Sequence, residues 1–201
     1  HRCLKENNIS VYWFHIDSCL KQGEVINENV KDNLNGDDPV FGKKYTGELA
    51  DFFNPSFLKM LQPDHEADLC IVYGTGAALS GWKGKLMYID VPKNEIQYRM
   101  RAGSITNLGC KNAQASTQMY KRFYFVDWPV LNKHKEALLS RIDIICDEQR
   151  ISNITWMRGD DLRKSLEGTT LEFILYHPYA IVIKPAGFVQ PVLATKDSQG
   201  R

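Results

Sequence analysis

A nearly unbroken apolar run near the start of the chain constrains the fold most strongly. Residues 9–17 read Ile-Ser-Val-Tyr-Trp-Phe-His-Ile-Asp, and the run ends in the carboxylate of Asp17. A strand covered on both faces has this pattern, because a strand with one wet face alternates apolar and polar residues. Further strands are predicted at residues 68–73, 85–90, 122–126, 143–146 and 154–157.

Segments with helical spacing separate these strands. One clear start is Asn54-Pro55, an N-cap followed by proline at the first helical position. Helices are predicted at residues 24–34, 55–62, 92–101, 129–142 and 160–168, the last of them ended by Gly168. The alternation predicts an α/β domain with right-handed crossovers, in which helices flank a mainly parallel sheet.

Composition excludes several classes of protein. The 201 residues contain 25 Lys and Arg against 24 Asp and Glu, so no global field favours nucleic acid or an anionic membrane surface. The apolar runs are far shorter than the roughly 20 residues that span a bilayer. Five cysteines without CxxC spacing, together with an N-terminus that lacks an apolar signal core, indicate reduced thiols and a cytoplasmic location.

The domain organisation follows from length and composition. The length favours one α/β domain over residues 1–168, with residues 169–201 as a C-terminal extension or the start of a linker to a further domain. Residues 103–118 are rich in Gly, Ser, Thr, Asn and Gln, which predicts a mobile, lid-like loop. The first residue is His rather than Met, which is typical of a fragment.

Cofactor motifs are incomplete. Gly74-Thr75-Gly76 follows a predicted strand, but the next strand begins near Lys85, which leaves too little chain for the crossover of a dinucleotide-binding unit. No GxxxxGK[ST] phosphate loop occurs, and the histidines show no metal-ligand spacing. The sequence therefore predicts no cofactor and no metal, and Gly74 and Gly76 are either turn residues or ligand contacts.

Basic residues flank the predicted loop at both ends. Arg99 and Arg101 end the helix before it, and Lys121 and Arg122 follow it. Guanidinium groups bind phosphate in a forked manner, so these side chains are candidates for phosphate or ligand binding. The alternative is that the arginines only complement the dipole of a helix C-terminus.

Acidic candidates lie at a strand end and in a turn. Asp17 stands at the carboxyl end of the first strand, where open α/β sheets bind ligands, and is a candidate catalytic base or a metal or hydroxyl contact. Asp37 and Asp38 form an acidic turn before Pro39, which is also ordinary turn chemistry.

Several segments, taken in order, carry a family resemblance. The strand ending in Asp17, the turn GDDPVFG at residues 36–42, the segment KLMYIDVPKNEIQYRMR and residues 141–146 resemble the uridine kinase and phosphoribulokinase branch of P-loop kinases. A closer resemblance is to the kinase-like front domain of bacterial class I mannose-6-phosphate isomerase homologues, and it is carried by the segments GDDPVFGKKYTGELADFF, IVYGTGAAL, YIDVPKNEIQYRMRAG and KRFYFVDWPVLNKHK. This likeness spans roughly residues 9–168.

The resemblance implies a P-loop-kinase-like fold and a role in sugar-phosphate metabolism. The chain lacks both the phosphate loop of the kinases and the metal-binding barrel of the isomerases, so we expect an accessory domain that is not catalytic alone. It would bind a phosphorylated sugar or nucleotide, or only pack against a covalently linked catalytic domain. Two alternatives stay open: a nucleoside or sugar kinase whose phosphate loop lies upstream, with Asp17 as base, and a structural interaction module.

Overall fold

Short strands form two separate sheets in this computed structural model, which describes residues 2–36, 38, 40–150 and 152–176. The strands are β1 (Val11–His15), β2 (Leu69–Tyr73), β3 (Met87–Asp90), β4 (Ile144–Asp147) and β5 (Thr155–Arg158). The first sheet pairs β1 with β2 in parallel. The second has the order β3-β4-β5, with β3 parallel and β5 antiparallel to β4.

Helices connect and cover these strands. The α-helices are α1 (Arg2–Glu6), α2 (Gly23–Val30), α3 (Pro55–Met60), α4 (Lys93–Arg101), α5 (Ser116–Arg122), α6 (Trp128–Leu138) and α7 (Gly159–Tyr176). Short 3-10 turns lie at Ile16–Cys19, Lys31–Asn33, Leu49–Phe52 and Ala77–Ser80. A π-helical turn, Phe123–Asp127, joins α5 to α6 without a break. Asn54 caps α3 as its sequence predicts, because its side chain accepts from the Ser56 N–H at 2.9 Å.

Three apolar clusters form the core. The first lies under β1 and β2 and includes Phe52, Phe53 and Val130. The second joins α4, α5 and α6 through Met100, Met119 and Trp128, and the third lies under β3 and β4 and includes Leu138, Ile142 and Ile145. Helix α6 contributes to all three, through Val130, Trp128 and Leu138 respectively.

The α/β class is confirmed, while the expected single sheet is two small ones. Five of the predicted strands occur within one or two residues of their predicted bounds, as β1, β2, β3, β4 and β5. The fourth strand in chain order, predicted at residues 122–126, is wrong, because this segment is helical. Met119, Phe123 and Val126 recur at helical spacing and are all buried, so packing overrides the strand propensity of the aromatic run.

The C-terminal elements also differ from expectation. Helix α7 continues through Gly168 to Tyr176 instead of ending there, since one glycine in a helix costs only about 1 kcal/mol. The predicted division at residue 168 stays a prediction, and residues 177–201 of the predicted extension lie outside the described residues.

The segment predicted to be a mobile lid is docked at its centre. Asn107 is 2% exposed, and the Gly109 backbone lies so close to α2 that an added Cβ would meet Ile26 Cδ1 at 2.4 Å. Gly109 also has a φ of 74°, a conformation that glycine adopts without strain. This packing corrects the expectation of a loose loop, and α5 begins at Ser116, inside the predicted span.

Candidate functional site

A polar cavity lies at the carboxyl end of β4. Its volume is about 200 Å³ and it is lined by Asp147, Gln149, Arg150, Asn153 and Thr155. Asp147 ends β4 and pairs in register with Thr155, the first residue of β5. The pairing of the two strands therefore brings both residues to the cavity. The Asp147 carboxylate also accepts from the Gln149 N–H at 2.8 Å, which turns the chain immediately after the strand.

Arg99 contacts Glu148, which lies in the chain between the lining residues Asp147 and Gln149. Its Nη2 donates to the Glu148 carbonyl oxygen at 2.7 Å, and its Nε bonds the Glu95 carboxylate at 2.9 Å. A second ion pair joins Arg99 Nη1 to Glu148 Oε1 at 3.6 Å. The guanidinium therefore already pairs with the carboxylates of Glu95 and Glu148. Its hydrogen bond to the Glu148 carbonyl also fixes the chain that leads into Gln149.

The adjacent strand contributes a second acidic residue to this edge. Asp90 lies beside Asp147 in the β3–β4 register, and its carboxylate pairs with Lys135 of α6 at 2.8 Å. Lys135 also lies over the Tyr88 ring, 5.5 Å from its centroid. Burial, and then the charge of Asp90, raises the pKa of the Tyr88 hydroxyl far above its ordinary value. The Tyr88 hydroxyl therefore stays protonated at neutral pH.

Asp17 and the two glycines follow the carboxyl ends of β1 and β2 in the other sheet. Asp17 Oδ2 lies 3.6 Å from His15 Nδ1, and the His15 ring lies within 3.4 Å of the position that a Cβ on Gly74 would take. Gly74 and Gly76 have φ values of 109° and 92°, so both satisfy the turn requirement that the sequence indicates. At Gly76 an added Cβ would also meet the Phe53 ring at 2.8 Å.

A buried polar cluster surrounds the end of α5. Arg122 donates through Nη2 to the Leu108 carbonyl oxygen at 2.8 Å, and through Nη1 to Asn27 Oδ1 and Cys110 Sγ. Asn107 Nδ2 donates to Asp127 Oδ2 at 2.7 Å. This cluster ties the predicted loop to α2 and to the π turn, so Arg122 holds the fold at this point.

Asp127 is the most perturbed carboxyl of this cluster. Burial raises its pKa to about 6, although the Arg122 charge and the hydrogen bonds from Asn107 and Leu108 favour the ionised form. Burial outweighs them because a carboxylate loses most of its hydration in such surroundings. Burial also raises the pKa of the neighbouring Cys110 thiol, which remains protonated.

Lys121 contacts the acidic turn. Its ammonium donates to the carbonyl oxygens of Asp38 and Gly36. The Asp38 carboxylate accepts from the Phe41 and Val40 N–H groups, which lowers the pKa of this carboxyl. Asp37 lies outside the described residues. Lys121 therefore binds backbone carbonyl groups of the turn. The Asp38 carboxylate is bound by N–H groups of the turn itself.

The structure brings some predicted site residues together and separates others. Asp17 and Gly74 are neighbours at the first sheet, and Lys121 lies with Asp38 at the acidic turn. Arg99 instead bonds Glu148 beside the β4 cavity, and Arg101 is exposed at the end of α4.

Sequence reasoning missed several polar residues of interest. It did not single out Arg150, Asn153 or Asp147 at the cavity, nor Asn107 and Asp127 in the buried cluster. The string Asp-Glu-Gln-Arg immediately after an apolar strand was the available signal for the cavity, because strand ends position ligands in open sheets. The buried cluster gave no such signal, because it joins residues far apart in the chain.

The described residues contain no group of three or more His, Cys, Asp or Glu side chains placed to hold a metal ion. Within the same part of the chain, every helix is too short or too polar to cross a membrane.

The comparisons with curated proteins and with solved structures gave no match. A family model does match, over residues 1–170, and it is described as "Domain of unknown function (DUF8485)". The match includes every strand that the structure describes, the polar cavity and the buried cluster. The chain therefore belongs to the DUF8485 family.

Proposed function

We propose that this domain is a kinase-like accessory domain of a sugar-phosphate enzyme, which binds a phosphorylated sugar or nucleotide and does not turn over alone. The main observation that supports ligand binding is the polar cavity at the carboxyl end of β4. Open α/β sheets bind ligands at this edge. The kinase-like relationship and the sugar-phosphate role both rest on the sequence resemblance.

The lining of the cavity suits a small hydroxylated anion. Arg150 provides a fork of N–H donors for a phosphate, and Asp147 provides acceptors for sugar hydroxyls. Asn153 and Gln149 supply amides that can both donate and accept. At about 200 Å³ the cavity is smaller than the roughly 300–1,000 Å³ of sites for drug-sized ligands, which favours one sugar ring over a dinucleotide.

A thermal-shift panel tests this function. The panel contains inorganic phosphate, mannose 6-phosphate, glucose 6-phosphate, unphosphorylated mannose and uridine nucleotides. A ligand at a hundred times its dissociation constant adds about 2.7 kcal/mol to the free energy of unfolding, which is a clear shift in Tm. We expect a sugar phosphate to give the largest shift, because only it engages both the guanidinium and the hydroxyl acceptors.

Matched variants locate the site. Arg150→Met should abolish the shift, while Arg141→Met, which removes an exposed arginine before the amino end of β4, should leave it intact. Asn153→Ala should weaken the shift from a sugar phosphate more than the shift from inorganic phosphate. A panel without any shift, or a shift that survives Arg150→Met, would overturn the proposal.

A second candidate function is a structural interaction module. Large apolar side chains are exposed on the outer faces of both sheets, including Trp13 and Tyr73 on the first and Ile89 and Trp156 on the second. Parallel strands are ordinarily covered on both faces. These exposed faces support a role in which the domain packs against another polypeptide.

A further inference from the structure

The chain that follows the 3-10 turn Lys31–Asn33 contains an Asn-Gly pair. Asn35 and Gly36 have φ values of 48° and 54°, and two consecutive positive φ values are the requirement of a type I′ turn. Glycine adopts this conformation without strain, and asparagine tolerates it better than most residues do. The backbone of the turn therefore explains why this dipeptide occupies it.

This dipeptide is open to solvent. Asn35 and Gly36 are both exposed, and no atom of the described chain beyond the flanking residues lies within 4 Å of the position that a Cβ on Gly36 would take. The bond that closes the turn, from the Asp38 N–H to the Asn35 carbonyl oxygen, is long at 3.4 Å. Packing therefore places little restraint on the rotation of these two residues.

An exposed Asn-Gly pair can react internally, which is one reason that asparagine counts among the thermolabile residues. Hydroxide removes the proton of the Gly36 N–H, and the nitrogen attacks the side-chain carbonyl carbon of Asn35. A bond forms between these two atoms, the bond from that carbon to the side-chain nitrogen breaks, and ammonia leaves after taking a proton from water. Water then cleaves one of the two C–N bonds of the cyclic imide, which gives aspartate or isoaspartate without any electron transfer.

The other asparagines lack this combination of features, since Asn35 alone in the sequence precedes a glycine. Asn112 is exposed, but it precedes Ala113, whose Cβ crowds the attacking nitrogen. Asn107 is 2% exposed, and its amide donates to the Asp127 carboxylate at 2.7 Å, so its side chain is held in place. The reactive position is therefore Asn35.

We propose that Asn35-Gly36 is a self-modification site, at which slow cyclisation and hydrolysis convert Asn35 to isoaspartate or aspartate and thereby alter the turn that binds Lys121. Glycine favours the reaction because it has no Cβ to crowd the attacking nitrogen. The open surroundings favour it because the Asn35 side chain and the Gly36 nitrogen rotate toward each other without breaking packed contacts.

The reaction reaches Lys121 through the backbone of the turn. Lys121 is 8% exposed, and its ammonium donates to the carbonyl oxygens of Gly36 and Asp38. In isoaspartate the main chain runs through the side-chain carbon, so an additional carbon precedes Gly36 and displaces its carbonyl oxygen. A buried ammonium is costly without its acceptors, and isoaspartate at residue 35 should therefore lower the Tm. Aspartate keeps the original backbone path and should leave the Tm nearly unchanged.

Mass spectrometry of the full chain follows the reaction during storage at neutral and at mildly alkaline pH. Tryptic peptides report Asn35 and Asn112 separately, and fragment ions distinguish Asn35 from Asn33. We expect Asn35 to lose its amide at least about tenfold faster than Asn112, because only Asn35 precedes a residue without a Cβ. The rate should rise with pH, since the backbone nitrogen reacts after losing its proton. A protease that cleaves before aspartate but not before isoaspartate identifies the two products.

A variant and a free peptide make the test decisive. Asn35→Gln lengthens the side chain, which disfavours ring closure, and this variant should stay intact under the same conditions. A synthetic peptide of residues 32–43 gives the rate without the fold. The site is overturned if Asn35 persists in the folded chain after the peptide has reacted completely, or if Asn112 reacts as fast as Asn35.

Thermal melts test the effect on Lys121. The isoaspartate form is separated from stored protein by ion exchange and compared with fresh protein and with Asn35→Asp, which carries the same added charge on an unaltered backbone. We expect a lower Tm for the isoaspartate form only. The same Tm for all three proteins, or an equal decrease in Asn35→Asp, would overturn the proposed effect on the Lys121 contact.

Discussion

Arg122 and Asp127 face each other inside the protein, with Arg122 Nε 3.7 Å from Asp127 Oδ1 and the two side chains only 5% and 1% exposed. They lie at either end of the π turn between α5 and α6. Each charge is therefore compensated mainly by the other and by the hydrogen bonds of the docked loop.

Asp127→Ala should destabilise the protein strongly. It leaves the Arg122 guanidinium buried without its counter-charge, and breaking a buried pair from one side costs about 3–5 kcal/mol. Urea unfolding at neutral pH measures the loss. Asp32→Ala, at an exposed aspartate, should stay within about 0.5 kcal/mol of the parent protein. Similar losses for the two variants would contradict this account of the pair.

Stability should depend on pH through the Asp127 carboxyl. Burial raises its pKa from 3.8 to about 6 in the folded protein, so between these values the folded state binds the proton that the unfolded state has released. This contribution is complete below pH 3.8 and is lost as the pH rises through about 6. Relative to Asp127→Asn, the parent should lose on the order of 3 kcal/mol across this window. A pH-independent difference between the two proteins would show that Asp127 does not titrate there.

Asn107→Ala should release the docked loop. Its amide donates to Met119 O and Asp127 Oδ2, and leaving these buried acceptors unsatisfied costs about 1–3 kcal/mol. We expect faster amide exchange at Leu108 and Cys110. Asn112→Ala, in the exposed part of the same segment, is the matched control. Unchanged exchange at Leu108 in Asn107→Ala would mean that other contacts hold the loop.

Single replacements of Arg99 and Arg101 should have different effects on stability and ligand binding. Arg99→Ala removes contacts to Glu95 and Glu148, so it should lower stability by about 1–3 kcal/mol and weaken ligand binding at the β4 cavity. Arg101→Ala should change stability by less than about 0.5 kcal/mol, because its side chain is exposed. Thermal melts with and without inorganic phosphate measure both effects. Equal effects would contradict the positioning role of Arg99.

ATP hydrolysis and phosphoryl transfer should be undetectable with this chain. Phosphoryl transfer depends on loop amides, a lysine and magnesium held around the phosphates, and the sequence has no GxxxxGK[ST] loop to supply them. A coupled steady-state assay with ATP and magnesium measures it. Turnover that disappears in Asp17→Ala would instead support the kinase alternative, with Asp17 as the base.

Local sequence patterns were enough to predict many of the strands and helices. β1 to β4 could be predicted because each is a short apolar run between turn signals, and α3 because Asn54-Pro55 marks its start. Residues 122–126 were wrongly predicted as a strand, because Phe-Tyr-Phe-Val has a high intrinsic strand propensity. Only the burial of Met119 and Val126 by distant elements decides for a helix.

The candidate site was less predictable than the fold. The positive φ values of Gly74 and Gly76 follow from glycine chemistry and the turn after a strand. The environment of Arg122 does not, because Asn27 and Leu108 reach it only through tertiary folding. The split into two sheets was equally hidden, since strand patterns do not state which strands pair.

The π turn at Phe123–Asp127 changes the helical phase between α5 and α6 while leaving the backbone rod unbroken from Ser116 to Leu138. Before it, Met119 points into the second apolar cluster, and after it Val130 and Leu138 reach the first and third. One continuous helical segment thus packs in all three apolar clusters. Because this helix packs in all three clusters, its loss would remove contacts from each of them, and we expect the three clusters to unfold in one cooperative transition.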